Sequence, residues 1–413
     1  MKALACFVLF LWISAFSLAQ TVSFTNAIFT SPLPFQSDFD TLIIDHCDFE
    51  NFQGEAIRFE NIGFVKITNS TFSHITNTSS TRAVICGKKT DHVILKNLSF
   101  HTIGGTAIRF PTDGEASPSK RLGTVIMDSI AINSTFDPGG FESNGIRVFH
   151  TDTLLVQFCT LKNITDNALS LGRNSAGITQ QDQRIEYCDI HHNTIDSVLG
   201  NGIVGSENAG PSHIHHNSIS NIALDGIGML AADGDHGIYW QAPNAWIYEN
   251  SIFNLLDGTV NGNRSVGISI RTNARIFNNE VHHCSGNGIA YWNDHPGGGK
   301  LEINNNLVYE TDFNGIYING SGSNPNTPDS VNVLHNTVHT VYLSGLVHQH
   351  APMALNNLDG VNFLAGNLLL YEYIVDTALF IPILGQVPSY QLVYNRYGQI
   401  NNGFIDASSG NLS

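Results

Sequence analysis

The chain has 413 residues, with 19 Lys and Arg against 35 Asp and Glu, and a formal net charge of −16 at pH 7. An acidic balance of this size argues against nucleic acid and against an anionic membrane surface as partners. The 38 glycines and a charged fraction of only 13% are typical of short strands joined by tight turns.

The first 19 residues have the organisation of a secretory signal peptide. Lys2 precedes an apolar run from Ala3 to Phe16, which is too short to span a bilayer, and the small residues Ser17 and Ala19 form a cleavage site. We therefore expect cleavage after Ala19 and a secreted protein, either extracellular or periplasmic. The most apolar later segment, residues 363–383, contains two acidic residues, so we expect no contact with a membrane.

One repeated pattern follows this segment and fills most of the chain. It consists of an apolar strand, an Asn or Cys, a second short strand, a turn and then Gly-Ile-x-apolar. Clear copies are RIEYCDIHHNTIDSVLGNGIVG (184–205), ARIFNNEVHHCSGNGIAYW (274–292) and LEINNNLVYETDFNGIYI (301–318). No helical period runs through them. The repeat predicts one all-β domain, a parallel β-helix of about 11–12 coils over residues 41–370, with caps at 20–40 and 371–413.

The residue before the second short strand supports this fold. In stacked coils, identical positions lie one strand spacing apart, so like side chains form ladders along the axis. Buried asparagines in such a ladder can bond to each other and to the backbone of the turn. The alignment predicts one ladder, formed by Cys47, Cys159, Cys188, Asn217, Asn250, Asn279, Asn306 and Asn336.

Five cysteines remain after the signal segment, and no CxxC motif occurs among them. Zinc and redox motifs are therefore not supported, and we expect most of these cysteines to be buried as small apolar residues. Adjacent histidines recur at 191–192, 215–216 and 282–283. Because neighbours in a strand point to opposite faces, we interpret each pair as a turn feature and assign no residue to a metal site.

Because of this repeat, the chain resembles the pectin-lyase-like superfamily of right-handed parallel β-helices. The resemblance covers roughly residues 41–370. It implies a protein that holds a polysaccharide in a groove along one outward sheet face. A leucine-rich repeat lacks support because its LxxLxLxxN signature is missing, and a propeller would need longer units of near-constant length. We expect a monomer with a polysaccharide partner.

The Gly-Ile-x-apolar strand predicts which residues face outward, because Ile faces the core and the residue after it faces solvent. In the early coils these outward positions carry arginines that could bind sugar carboxylates or sulfates: Arg58, Arg109 and Arg147.

The later coils place a richer set of side chains in consecutive turns, and we expect those of His236 and Arg271 to point away from the core. Asp235, His236, Tyr239, Arg271, Asp294 and His295 are the candidate catalytic residues, and Trp292, Tyr317 and Asn319 are candidates for sugar binding. Aromatic rings, a cation, histidines and carboxylates that converge in this way are typical of an active site.

Several chemistries fit these residues. A lyase or epimerase removes a C5 proton beside a carboxylate, and needs a cation such as Arg271, or a bound calcium, together with a base such as His236, Tyr239 or His295. A glycoside hydrolase would instead use the pair Asp235 and Asp294. A non-catalytic carbohydrate-binding or adhesion protein is the alternative from another class, and the sequence does not separate them. We assign no cofactor, although a bound calcium ion could take part in this chemistry.

Overall fold

The computed structural model describes residues 20–34, 36–77, 83–111, 121–139, 143–172, 185–223, 235–256, 265–292, 300–320, 330–342, 351–356, 361–373, 383–384, 390–393 and 396–399. Every regular element in these ranges is a strand, which confirms the predicted all-β class. The predicted signal peptide and the candidate residues Asp294 and His295 lie outside them.

The strands of the first third of the chain are β1 (Thr21–Thr25), β2 (Ile28–Phe29), β3 (Gln36–Asp45), β4 (Asp48–Gln53), β5 (Ile57–Thr68), β6 (Thr71–Thr76), β7 (Ile85–Gly104), β8 (Ile108–Phe110), β9 (Leu122–Phe136), β10 (Ile146–Val148), β11 (Thr151–Gln157) and β12 (Thr160–Ile164). The middle third contains β13 (Leu169–Leu171), β14 (Ile185–His191), β15 (Thr194–Val198), β16 (Ile203–Gly205), β17 (Ser212–His215), β18 (Ser218–Ile222), β19 (His236–Trp240), β20 (Ala245–Tyr248), β21 (Ser251–Leu255), β22 (Val266–Ile270), β23 (Ala274–Phe277) and β24 (Glu280–Cys284). The last third contains β25 (Ile289–Trp292), β26 (Lys300–Asn304), β27 (Leu307–Thr311), β28 (Ile316–Asn319), β29 (Ser330–Leu334), β30 (Thr337–Tyr342), β31 (Met353–Asn356), β32 (Val361–Ala365), β33 (Leu368–Tyr373), β34 (Ile383–Leu384), β35 (Tyr390–Val393) and β36 (Arg396–Gln399).

Each strand pairs in parallel with the equivalent strand one coil later, and the paired strands form three sheet faces around one core. The first face contains β11, β14, β17, β20, β23, β26 and their neighbours, the second contains β12, β15, β18, β21, β24 and β27, and the third contains β10, β13, β16, β19, β22, β25 and β28. Parallel connections of this kind are right-handed. The described residues give the first face fourteen strands: twelve, from β3 to β32, agree with the 11–12 coils expected, and β1 and β35 lie in the segments predicted as caps.

Stacked apolar side chains fill the interior. In the described strands the isoleucine of the Gly-Ile motif points inward, and Ile203, Ile238, Ile268, Ile289 and Ile316 are fully buried. In the early coils a column of phenylalanines on the second face stacks ring on ring at 4.7–4.9 Å, formed by Phe29, Phe49, Phe72 and Phe100. This continuous core holds the outer faces rigidly enough to carry a site.

An asparagine ladder follows the corner between the first and second faces. Oδ1 of Asn306 accepts hydrogen bonds from the backbone N–H of Asn279 at 3.0 Å and from its Nδ2 at 2.9 Å. The Nδ2 of Asn279 also donates to the Ile247 carbonyl at 2.9 Å. The same arrangement repeats along Asn193, Asn217, Asn250, Asn279, Asn306, Asn336 and Asn367, which are all buried.

The ladder differs from the prediction at one position. Cys188 lies within β14, where it pairs with Leu154 and Ser212, and Asn193 takes the ladder position instead. The Oδ1 atom of Asn193 accepts from the N–H of Cys159, which does belong to the ladder. Five cysteines lie in the described residues, and all are buried without a disulfide.

Candidate functional site

The strands of the third face place their outward side chains in columns along the axis. Tyr239 pairs with Ser269, Ser269 with Ala290 and Ala290 with Tyr317. The two small residues have no exposed surface, although they face outward. Larger neighbours must therefore cover them, and these neighbours meet above one patch of the sheet.

Arg271 follows β22 and lies at the centre of this patch. Its Cζ atom is 5.1 Å from the centre of the Tyr239 ring and 4.7 Å from the centre of the Trp292 ring. Cation–π attraction stabilises a guanidinium in this position. Because a guanidinium donates hydrogen bonds in its own plane, stacking leaves that mode of recognition intact. The fold thus brings three predicted site residues into contact.

The phenol of Tyr239 is held by a neighbour in its own coil. Nε2 of Gln241, a buried side chain, donates a hydrogen bond to the phenolic oxygen at 2.6 Å. An oxygen that accepts this bond still has its own proton to give to another group. Tyr239 is therefore an oriented phenol beside a fixed cation.

His236 lies deeper than the sequence predicts. We expected its side chain to point away from the core, but only 6% of it is exposed. The reason is that His236 takes the asparagine position of the Asn-Gly-Ile motif. Its N–H donates to Oδ1 of Asn201 at 2.7 Å, and its Nδ1 accepts from the N–H of Val266 at 3.3 Å, as a ladder asparagine would.

These contacts fix the protonation of His236. Burial lowers the pKa of its imidazole to about 3, and the positive charge of Arg271 acts in the same direction. The ring is therefore neutral near pH 7. Since Nδ1 accepts a backbone hydrogen bond, the single ring proton is on Nε2. The centre of the His236 ring lies 5.1 Å from that of the Tyr239 ring, so the buried imidazole packs against the phenol ring.

Asp235 is also buried, with 7% of its surface exposed. Its Oδ1 accepts a hydrogen bond from Nδ2 of Asn201 at 3.4 Å, which links it to the corner of the preceding coil. Asp294, the predicted partner of Asp235 in a carboxylate pair, lies outside the described residues, as does His295.

The predicted sugar-binding residues continue the same row. Trp292 pairs with Asn319 in register, and its ring centre lies 5.5 Å from that of Tyr317 at an angle of 48°. All three side chains are partly exposed. Aromatic rings and an amide are suited to stacking on a sugar and to bonding its hydroxyl groups.

The early arginines form a separate group on the same face. Arg58 pairs with Cys86, Cys86 with Arg109, and Arg109 with Arg147, so only two of the three predicted arginines are adjacent. The sequence prediction missed Cys86 as an outward position because Val84 precedes Ile85, whereas a glycine or an alanine precedes the isoleucine before each of the three arginines. Arg147 is three rungs from Tyr239, a separation of about 14 Å for ordinary strand spacing.

A phenylalanine that the sequence analysis did not select organises this group. The Cζ atoms of Arg109 and Arg147 lie 4.9 and 4.6 Å from the centre of the Phe149 ring. Arg109 is only 3% exposed. Nearby, burial raises the pKa of Asp166, and Arg147 opposes that shift. Because Arg109 is buried, Arg147 is the member of the pair that is better placed to reach a ligand.

One outward position also differs in register. The motif at Gly226-Ile227 predicts Gly228 as the outward residue between Val204 and Tyr239, whereas Val204 pairs directly with Tyr239. Gly228 lies outside the described residues.

The part of the chain that the structure describes contains no helix with the length and apolar character of a membrane span.

Comparison with known proteins gives a family and a set of structural likenesses. The family model for a right-handed beta helix region matches residues 40–252, which is more than half of the chain. No curated protein matches the sequence.

Solved structures are similar over most of the chain at low sequence identity. The periplasmic alginate epimerase AlgG is 10% identical, with a TM-score of 0.42 over 83% of this chain and 76% of that one. Variants of that epimerase have the same score over 87% of this chain and 77% of theirs. The Dettilon tailspike protein is 12% identical, with a TM-score of 0.37 over 84% of this chain and 62% of its own.

Proposed function

Because the chain belongs to the right-handed β-helix family, we propose that it is an exported protein that holds an acidic polysaccharide along its third face. We further propose that it acts on this polymer at Tyr239 and Arg271, as a lyase or an epimerase. We expect it to work as a monomer.

The position of Arg271 between two aromatic rings carries this proposal. A sugar carboxylate that meets the guanidinium edge forms charge-assisted hydrogen bonds, and the positive charge of the guanidinium offsets its negative charge. Neutralising the carboxylate makes the C5 proton beside it more acidic, since the electron pair of the broken C–H bond can spread into the carboxyl group. A cation that is already fixed needs no reorganisation when that charge develops.

Tyr239 is the base that this geometry favours. After its own proton has passed to solvent, the Tyr239 phenolate would take the C5 proton, and Arg271 beside it would stabilise the phenolate by charge. In a lyase, the electron pair then expels the oxygen on C4 and leaves an unsaturated sugar. In an epimerase, C5 instead receives a proton on the opposite face.

His236 is less suited to proton abstraction, since Nδ1 accepts from Val266 and the proton is on Nε2. We assign it a positioning role beneath Tyr239. His295 and Asp294 follow Trp292 closely in the sequence and stay candidates for the acid that returns a proton.

Neighbouring groups would bind the rest of the polymer. Trp292, Tyr317 and Asn319 continue the row on one side of Arg271 and would hold the next sugar. On the other side, Arg147, with the buried Arg109 beside it, would meet a carboxylate farther along the same chain, about three rungs away. This arrangement offers local positive charge on a protein whose net charge is −16.

A non-catalytic carbohydrate-binding protein is the second candidate, and one observation favours it. Tyr239, Arg271, Trp292 and Tyr317 form one row of successive contacts along the axis of the third face. A row of this kind binds a polymer without needing a closed cleft. A hydrolase that uses Asp235 and Asp294 is a third outcome of the same experiment.

The experiment is a panel of acidic and neutral polysaccharides incubated with the purified protein. Lyase activity gives ultraviolet absorbance from unsaturated ends, hydrolysis gives reducing ends without that absorbance, and epimerisation changes the proton NMR spectrum at constant length. Our proposal expects the first or the third result with an acidic polymer. Binding without any product would favour the second candidate, and no binding to any acidic polymer would overturn the proposal.

A further inference from the structure

Two pairs of histidines stack at the corner between the first and second faces. His215 lies over His191 with ring centres 4.9 Å apart, and His216 lies over His192 at 4.8 Å, with each stacked pair nearly parallel. This corner is on a different part of the surface from the row around Arg271, and the function proposed above does not use it.

The backbone conformation brings together the rings of histidines that are adjacent in the sequence. Alternation along a strand would send adjacent side chains to opposite faces, which is why we expected only a turn feature here. However, His192 and His216 have φ of 55° and 53°, in the left-handed region. This conformation breaks the alternation, and the Nδ1 atoms of His215 and His216 lie only 2.8 Å apart.

The outer nitrogens of this pair face carboxylates. Nε2 of His215 is 3.1 Å from Oδ1 of Asp189, and Nε2 of His216 is 2.7 Å from Oε2 of Glu249. An ionised carboxylate only accepts hydrogen bonds, so both Nε2 atoms carry protons. If both rings are neutral, the two Nδ1 atoms carry no protons, and two bare nitrogens repel each other at 2.8 Å. The contact is then favourable only if the nitrogens share a proton or bind one metal ion together.

The distance suits a metal ion. Two imidazole nitrogens bound at ordinary metal–nitrogen lengths in cis positions of a square or octahedral centre lie about 2.9 Å apart, whereas tetrahedral ligands lie about 3.4 Å apart. Histidines that bind metals commonly donate their other N–H to a carboxylate, which fixes the tautomer.

We propose that His215 and His216 bind one divalent transition-metal ion through their Nδ1 atoms, and that Cu²⁺, which favours tetragonal nitrogen sites, fits best. The described residues contain no preformed group of three or more His, Cys, Asp or Glu side chains around one point. The site therefore supplies two protein ligands, and water completes the coordination. The ring of His216 is 43% exposed, so an ion can reach it.

The test is a titration of the protein, purified without a histidine tag, with CuCl₂. The double variant His215→Gln/His216→Asn keeps side chains of similar size, and asparagine tolerates the positive φ at position 216. His101→Gln changes an exposed histidine elsewhere and serves as the control. We expect the parent and the control to bind one tight Cu²⁺ with nitrogen hyperfine splitting in the EPR spectrum, and the double variant to bind at least about tenfold more weakly.

A second variant keeps the test valid if the double variant folds poorly. Asp189→Asn leaves both histidines in place but removes the carboxylate that fixes the tautomer of His215, and we expect a loss of about 10-fold to 100-fold in affinity. Equal Cu²⁺ affinity in the parent, in His215→Gln/His216→Asn and in Asp189→Asn would overturn the proposal. The proposal would also be overturned if the tight site were lost only in a further double variant, His191→Gln/His192→Asn.

Discussion

The guanidinium carbon of Arg271 lies 5.1 Å from the centre of the Tyr239 ring, although 32 positions separate the two residues along the chain. Coil stacking produces this contact, because Tyr239 pairs with Ser269 in the next coil and Arg271 is the next outward residue after Ser269. A cation and a phenol are thereby fixed side by side on a rigid face. This relationship supports C5 chemistry on an acidic sugar more directly than any single residue does.

Tyr239→Phe tests the base. The change removes one hydroxyl group and keeps the ring against Arg271, so we expect polymer affinity to change little and kcat to fall by about 10² to 10⁴. Steady-state kinetics on the active polymer of the panel measure both. Tyr317→Phe is the control and should keep kcat near the parent value. A Tyr239→Phe protein with full kcat would show that another group takes the proton.

His236→Asn separates a positioning role from a catalytic one. Asparagine is the usual residue at this corner and can accept the N–H of Val266, so we expect a stable protein with most of its activity. His236→Ala lacks that acceptor and should lose about 1–3 kcal/mol of unfolding free energy. A stable His236→Asn protein with activity reduced more than about 100-fold would instead identify His236 as an acid–base group.

The same residue predicts how stability depends on pH. The pKa of His236 is about 3 in the folded protein and near 6.5 when unfolded, so the unfolded chain binds the extra proton first. This contribution to stability is complete above pH 6.5 and is lost as the pH falls toward 3. Between pH 7 and pH 5 the parent should lose about 2 kcal/mol more than His236→Asn, as measured by urea titration. Identical losses in the two proteins would mean that the ring is not held neutral.

Asn279→Leu tests the corner ladder. Leucine fills the volume but cannot accept the two hydrogen bonds of Asn250 or donate to Ile247, so buried amides lose their partners. We expect destabilisation of about 1–3 kcal/mol in thermal or urea unfolding. Asn332→Leu makes the same change at an outward, partly exposed position of β29 and should have little effect. Equal stability of the two variants would contradict the ladder.

The sequence was sufficient to predict the β-helix and the convergence of Tyr239, Arg271 and Trp292, because both depend on the strand period and on register. It was less reliable where two residues compete for one position. In the 184–205 copy, Cys188 and Asn193 both resemble ladder residues, and only the strand that follows Asn193 distinguishes them.

Local backbone conformation explains the other differences. His236 reads as an outward histidine until its place in the Asn-Gly-Ile motif is recognised. The histidine pairs look divided between two faces until the positive φ of the second residue is known. Such conformations depend on hydrogen bonds from the adjacent coil, which a single repeat does not specify.

Affinity for an acidic polysaccharide and for its carboxyl-reduced form, measured by calorimetry in the parent, Arg271→Ala and Arg275→Ala, tests the central claim most directly. Arg275 is a matched control, since its Cζ atom lies 4.8 Å from the centre of the Trp246 ring on the first face. We predict that the parent and Arg275→Ala prefer the acidic polymer, and that Arg271→Ala loses this preference, with a drop of about tenfold or more for one charge-assisted contact. The same preference in all three proteins would contradict recognition of a sugar carboxylate at Arg271.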